Sequence, residues 1–319
     1  MIKHLEEKIL KGGSISKEDA SYIVAIPVSD IFNLFISANI IRNHSRGSKA
    51  ELCSIVNAKS GACPEDCSFC AQASKSKAEI KVYPLLSKEI VMQRAKEAKN
   101  SGIKRFSIVT SGRKVSARDL LEIAGMISEI RGIGLLPCAS IGLLKEKELS
   151  ILKSAGLERY HHNLETSERF FPQICRTHGY ADKLKTIEAV KSTGLSICSG
   201  GIFGLGETWQ DRIDMAFLLK ELDVDSSPIN FLIPIKGTAM GYRDLLKPFE
   251  ALKIISLYRF ILPQKDIRVC GGRIQILGEF NSMVFFAGAD SLLTGNYLTT
   301  SGRSYEDDLR LIELYGLTT

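Results

Sequence analysis

Three cysteines in the stretch Gly61-Ala-Cys-Pro-Glu-Asp-Cys-Ser-Phe-Cys-Ala-Gln72 carry the strongest chemical signal in this chain. Cys63, Cys67 and Cys70 stand at C-x3-C-x2-C spacing, which lets one loop wrap a cubane 4Fe–4S cluster with three thiolates. One iron then lacks a protein ligand and is open to a substrate or cofactor, whereas an electron-carrying or structural cluster normally has all four ligands supplied. Structural zinc asks for four protein ligands, usually from two paired units, and no second pair lies nearby. A disulfide reading is weaker still, because three thiols in one short loop cannot all pair.

The rest of the chain has to position that loop, and it repeats one alternation of short apolar strand, turn and amphipathic helix. Strand patterns fall at 52–57, 105–110, 135–140, 159–164, 196–201, 227–233, 267–270 and 291–293; helical patterns include 87–100, 116–130, 180–192, 211–222 and 248–262. Ser87 and Ser116 read as helix caps, and Gly102, Gly156 and Gly194 punctuate helix ends. Eight βα units predict the α/β class and a (β/α)8 TIM-type barrel, with its site at the C-terminal ends of the strands. A doubly wound open sheet is the alternative. Residues 1–45 read as an N-terminal helical extension and 46–319 as the barrel domain with a C-terminal helix.

Composition agrees with one large domain: 319 residues, 45% apolar and 24% charged. The net charge of +6 is mild and no basic run suggests a nucleic-acid arm. The N-terminus lacks the apolar core of a signal peptide, and no run approaches the ~20 apolar residues of a membrane span. A cytoplasmic enzyme with no membrane or nucleic-acid partner is expected. Eight cysteines in such a setting favour metal or redox chemistry over disulfides.

Polar residues fall where the barrel would place a site. The fourth strand ends in His161-His162-Asn163-Leu164-Glu165, so period-two alternation would put His161, Asn163 and Glu165 on one face and leave His162 a core histidine. The fifth runs through Cys198-Ser-Gly200-Gly201-Ile202, whose glycines permit close backbone approach to a ligand; alone this segment is only a glycine-rich turn.

A C-x3-C-x2-C loop followed by a βα barrel resembles the radical S-adenosylmethionine superfamily. More narrowly, CPEDCSFCAQ, RYHHNLETS, CSGGIFGLGET, PINFLIPIKGT and FFAGADSLLTGNYLTT, in that order over residues 45–316, resemble the biotin synthase family. The resemblance implies that S-adenosylmethionine chelates the open iron and that a flavodoxin- or ferredoxin-type donor supplies one electron. The resulting 5′-deoxyadenosyl radical acts twice on dethiobiotin, and sulfur from an auxiliary iron–sulfur cluster bridges the two carbons. Carried over by position, Asn163 and Glu165 bind the ribose of S-adenosylmethionine, backbone near Ile202 and Ile233 meets the adenine, and Phe69, Lys183, Gly200 and Gly201 complete the cofactor site. Asn230 matches the residue that grips the ureido ring, Thr299 and Thr300 the pair near the substrate carboxylate, and His161 and Asn163 lie close to substrate. A homodimer is also implied. Three departures stand out: Glu165 where the family has Asp, His161 where it has Asn, and Phe69 where it has Tyr.

The auxiliary cluster departs further. The family pattern of three cysteines and an arginine is matched by Cys138, Cys198 and Arg268, but the third cysteine position holds Ser107. Serine is a much poorer iron ligand than a thiolate. Cys270 lies two residues after Arg268, so in a strand it faces the same cavity. The expected set is therefore Cys138, Cys198, Cys270 and Arg268, around an auxiliary cluster of altered composition. Cys270 as a small buried hydrophobe is the alternative. Cys53 and Cys175 have no matching role and read as buried structural thiols. The competing functions are a radical enzyme of the hydrogenase-maturation or methylornithine type, and a non-catalytic iron–sulfur or zinc protein.

Overall fold

Nine parallel strands run in the order β5-β4-β3-β2-β1-β9-β8-β7-β6, with a further β5–β7 pairing that closes the sheet on itself. They are β1 (Glu51–Lys59), β2 (Arg105–Thr110), β3 (Leu136–Ser140), β4 (Arg159–His161), β5 (Ser196–Cys198), β6 (Gly201–Phe203), β7 (Ser226–Phe231), β8 (Asp266–Val269) and β9 (Ser291–Leu293). This computed structural model describes residues 1–298 and 302–319. Closure excludes the open doubly wound sheet and gives the eight-stranded barrel expected from the alternation, β5 and β6 being two halves of one barrel strand.

The interruption has a steric cause. A Cβ on Gly200 would sit 2.0 Å from the Pro228 carbonyl oxygen, and one on Gly201 would sit 2.5 Å from that of Glu165. The glycines therefore let neighbouring backbone of the barrel come close, a reason the sequence reading did not supply. The Ser199 amide donates to Ser226 (3.0 Å), and the Glu165 peptide joins β6 through Glu165 N to Gly200 O (3.1 Å) and Ile202 N to Glu165 O (2.8 Å). Glu165 takes φ +75° to do so, a conformation that a non-glycine residue enters at a cost.

Helices α1 (Ile2–Leu10), α2 (Lys17–Ala25) and α3 (Ile31–Arg46) precede the barrel. Around it lie α4 (Lys88–Asn100), α5 (Ala117–Gly132), α6 (Glu146–Ser154), α7 (Tyr180–Ser192), α8 (Trp209–Glu221) and α9 (Pro248–Ile261), followed by α10 (Arg273–Leu277) and α11 (Tyr305–Leu314). Ser116 caps α5 by accepting from the Asp119 amide (3.0 Å), whereas Ser87 occupies the cap position of α4 without a side-chain bond. Helix α1 packs on α3, α3 on α9, and α2 on both α8 and α9, so α9 is buried on nearly every side. At the N-terminal end of the barrel Arg46 binds Asp266 and Asp290, and Arg259 reaches Asp290 at 2.9 Å. Among the described residues no single helix is long and apolar enough to cross a membrane.

Candidate active site

The cysteine loop follows β1 at the C-terminal mouth of the barrel. It turns at Gly61 (φ +72°), where a Cβ would meet Val82 at 2.6 Å, and at Ala62 (φ +49°). The Gln72 side chain accepts from the Gly61 amide (2.9 Å), and the Cys63 and Cys70 amides donate to Gln72 and Cys67. These bonds give the loop a defined shape while Cys63, Cys67 and Cys70 stay half-buried and free of disulfides. The neighbouring Cys175 thiol and burial raise the Cys67 thiol; burial also raises Cys70, which feels Cys63 and Glu165 nearby. Three free thiols on one shaped loop fit a cluster with one iron left open. Phe69 packs its ring partly against the core.

Inside the barrel lies a cavity of about 410 Å³; the cysteine loop does not line it, but Glu165 on its wall is close enough for Cys70 to feel its charge. It brings together His161, Asn163, Glu165, Lys183, Cys198, Asn230, Arg268 and Cys270, residues from four strands, the segments that follow two of them, and a helix. Lys183 Nζ donates to the Asn163 carbonyl (2.9 Å), tying α7 to the segment after β4. Glu165 is half-buried, and loss of solvent around its carboxyl raises it above the ordinary value; its buried Oε2 has no hydrogen-bond partner among the described residues. Asn230 donates to Gly201 O (3.2 Å) and accepts from Gly271 N (3.1 Å), leaving one donor and one lone pair for a ligand. Ile202 and Ile233 are half-buried against the core and do not line the cavity, and Thr299 and Thr300 lie outside the described residues.

Two sequence readings change here. The fourth strand ends at His161 rather than continuing to residue 164, so strict alternation stops there and His162 lines the same cavity as His161. His162 does stack on Tyr160 as a core residue would, yet its Nε2 has no partner. Burial lowers both histidines well below the usual range; for His161 the nearby Arg268, Arg159 and Arg105 add to this, so it is neutral.

Below the cavity, inward positions alternate along each strand. Glu51, Cys53 and Ile55 share one face of β1, Arg105, Ser107 and Val109 one face of β2, and Arg268 and Cys270 one face at the end of β8. Glu51 Oε1 accepts from Arg268 Nη2 (2.5 Å) and Arg105 Nε (2.6 Å), with Arg159 at 3.9 Å. Burial alone would raise Glu51, but the three guanidinium groups hold it at about 2. Arg105 also donates to Cys138 Sγ (3.5 Å), while Arg268 Nε and Nη1 are buried with no partner. Uncharged, Cys53 and Cys138 are pushed up by burial, Cys53 to about 12.

Cys53 is fully buried, as its reading as a structural thiol expects, and it also lines the cavity. It packs with Cys270 and Leu293, half-buried Ile55 and Tyr297 beside them, and it faces the cavity. The signal was present: Glu51 and Cys53 are two residues apart, as Arg268 and Cys270 are. Ser107 is buried with an unpartnered hydroxyl and pairs in register with Cys138 and Ile55. Four reduced thiols, orphaned guanidinium N–H groups and a surplus of buried positive charge form a donor set that fits an anionic sulfur-rich group.

A closed parallel barrel with a three-cysteine loop at its mouth defines a radical S-adenosylmethionine enzyme, and the Radical SAM superfamily model matches residues 58–219. The Biotin and Thiamin Synthesis associated domain follows at residues 228–318. The chain is 58% identical over 289 residues to a biotin synthase of Thermodesulfovibrio yellowstonii, covering 91% of each, and 46% identical over 315 residues to one of Pelotomaculum thermopropionicum, covering 98% of each. It belongs to the biotin synthase family. Among solved structures it is similar in fold to a methylornithine synthase (TM-score 0.86, 19% identity, 98% of this chain and 96% of that one). It is likewise similar to the FeFe-hydrogenase maturase of Carboxydothermus hydrogenoformans (TM-score 0.84, 18% identity, 99% and 78%).

Proposed function

We propose that this chain inserts sulfur into dethiobiotin to form biotin, drawing the sulfur from an auxiliary iron–sulfur cluster held by Cys138, Cys198, Cys270 and Arg268, with Cys53 as a further thiol. The observation that carries this reading is a cavity in which the free thiols of Cys53, Cys198 and Cys270 stand beside the under-bonded Arg268, with Glu165 on its wall near Cys70 of the cysteine loop. Cys63, Cys67 and Cys70 would hold a 4Fe–4S cluster which, with S-adenosylmethionine bound, would supply radical chemistry able to take hydrogen from unactivated carbon.

The chain's own residues bind, orient and exclude water. Asn163 and Glu165 face the ribose hydroxyls, and a buried carboxylate oxygen without a donor is what such a hydroxyl would satisfy. Backbone at Ile202 and Ile233 meets the adenine, Phe69 walls the loop side, and Lys183 holds Asn163 in place. Gly200 and Gly201 keep β6 close to Glu165. Asn230 offers its remaining amide positions to the ureido ring, His161 presents a neutral imidazole to substrate, and Thr299 and Thr300 take the carboxylate. Packing of the barrel keeps radical, carbon and sulfur in line and away from solvent.

Residues 46–319 are the working barrel and 1–45 an extension; a flavodoxin- or ferredoxin-type donor supplies the electron, and the active unit is a homodimer. These last assignments rest on family resemblance. The test is an anaerobic single turnover of cluster-reconstituted protein with S-adenosylmethionine, reductant and dethiobiotin, read by mass spectrometry. Biotin together with 5′-deoxyadenosine is expected. Deoxyadenosine without biotin, from protein carrying both clusters, would remove dethiobiotin as the substrate.

A further inference from the structure

The outer side of the cysteine loop carries a constellation that none of these roles uses. Glu65 and Asp66 stand between the first two loop cysteines and reach the segment 174–178 that precedes α7. Asp66 Oδ1 accepts from the Arg176 amide (2.9 Å), the Thr177 amide (3.2 Å) and the Thr177 hydroxyl (3.1 Å). The Ser68 amide donates to Ile174 (2.8 Å). On that frame Glu65, Cys175 and His178 converge. His178 Nδ1 lies 2.5 Å from Glu65 Oε2 and 3.3 Å from Cys175 Sγ, and the three ligand atoms lie within 4.8 Å of one another. The Glu65 and His178 side chains are 7% and 8% exposed, while the neighbouring Arg176 and Thr177 are exposed and leave a path to solvent.

Two chemistries use a thiol, an imidazole and a carboxylate. In a nucleophile–base–orienter triad the thiol and the carboxylate occupy opposite ring nitrogens, so that one nitrogen takes the proton while the other is held. Here both occupy Nδ1, and Cys175 is 4.0 Å from Nε2. Three donors converging on one point make a tripod of metal ligands instead. One sulfur, one nitrogen and one oxygen suit a borderline divalent ion such as zinc, whereas calcium and magnesium want oxygen alone. Tetrahedral zinc sets its ligand atoms roughly 3.3–3.6 Å apart. The thiol–imidazole spacing of 3.3 Å is already near this, and the imidazole–carboxylate pair at 2.5 Å has to open by under ~1 Å to admit the ion.

We propose that Glu65, Cys175 and His178 bind a zinc-class divalent ion with solvent at the fourth position, fastening the cysteine loop to the segment before α7. That the loop also holds a 4Fe–4S cluster rests on the function proposed above; the ion site does not. The test uses the reconstituted holoenzyme, with iron and sulfide counted, exposed anaerobically to zinc, desalted, and read by metal analysis and zinc X-ray absorption. Expected is about one zinc per chain with no iron lost, its first shell holding one sulfur at about 2.3 Å and nitrogen or oxygen at about 2.0 Å. Cys175→Ser and His178→Ala should each weaken zinc binding on the order of a hundredfold. The proposal is overturned if zinc is not retained, if both variants retain it equally, if the first shell holds three sulfurs, or if zinc enters only as iron leaves. Because the spectrum of the unaltered protein distinguishes these results, misfolding of a variant does not obscure the answer.

Discussion

The two cysteine-rich regions of this barrel are built on opposite principles. The loop at the mouth presents half-buried thiols on irregular backbone, shaped by hydrogen bonds among Gly61, Cys63, Cys67 and Gln72, with close spacing in sequence. The base of the cavity presents buried thiols from separate strands, surrounded by Arg105, Arg159 and Arg268, which share Glu51 and, for Arg159, Asp266. A loop can wrap a group from a few consecutive residues, whereas a strand contributes one inward side chain per layer and must be completed by its neighbours. The contrast teaches that the first site is local and the second is a property of barrel register.

Removing one thiol from each region tests the contrast most severely. Cys70→Ala should abolish the loop cluster and lower 5′-deoxyadenosine formation on the order of a thousandfold, while iron at the base of the cavity remains. Retained cleavage of S-adenosylmethionine would break the assignment of the loop. Cys270→Ala should leave that cleavage within about threefold of the unaltered protein but cost auxiliary iron and at least about a hundredfold in biotin formed. An intact auxiliary cluster by Mössbauer spectroscopy would return Cys270 to a packing role.

The charge network at the base gives a smaller, thermodynamic effect. Glu51→Gln leaves three guanidinium groups facing a neutral amide and should lower stability by about 2–3 kcal/mol in urea unfolding, moderated because the Glu51 side chain is 31% exposed. Since Glu51 is held at about 2 against an ordinary 4.5, its stabilisation is complete above about pH 4.5 and fades as pH falls toward 2. The difference between the two proteins should therefore shrink through that window; a constant difference would mean that Glu51 acts by packing. Smallest of all, Ser116→Ala removes the α5 cap away from both regions and should cost about 1 kcal/mol with turnover unchanged. A matching loss of turnover would show that activity follows global stability rather than either site.

Legibility in the sequence followed the same division. Cys63, Cys67 and Cys70 were readable because a loop motif is a matter of spacing. That Cys270 faces the cavity with Arg268 was readable from their two-residue interval; that Cys53 lines the same cavity was not read, although the same interval separates it from Glu51. His162 reads as a core residue on the side opposite His161; it is buried and stacks on Tyr160 two residues back, and what alternation does not show is that it also borders the cavity. Cys175 and His178 could not be connected to Glu65 from sequence at all, being more than a hundred residues away along the chain.

By itself the sequence determined the repeating βα pattern, the loop motif and the capped, amphipathic helices, because each depends on residues within one turn, one strand or one helix. Only the tertiary structure decided that β5 and β6 split where Pro228 presses against Gly200, and that Cys53 and Cys270 share a wall. It also decided that three arginines converge on Glu51 and that Glu65 meets His178. Those contacts join strands and loops far apart in the chain, and closure of the barrel is what sets their register.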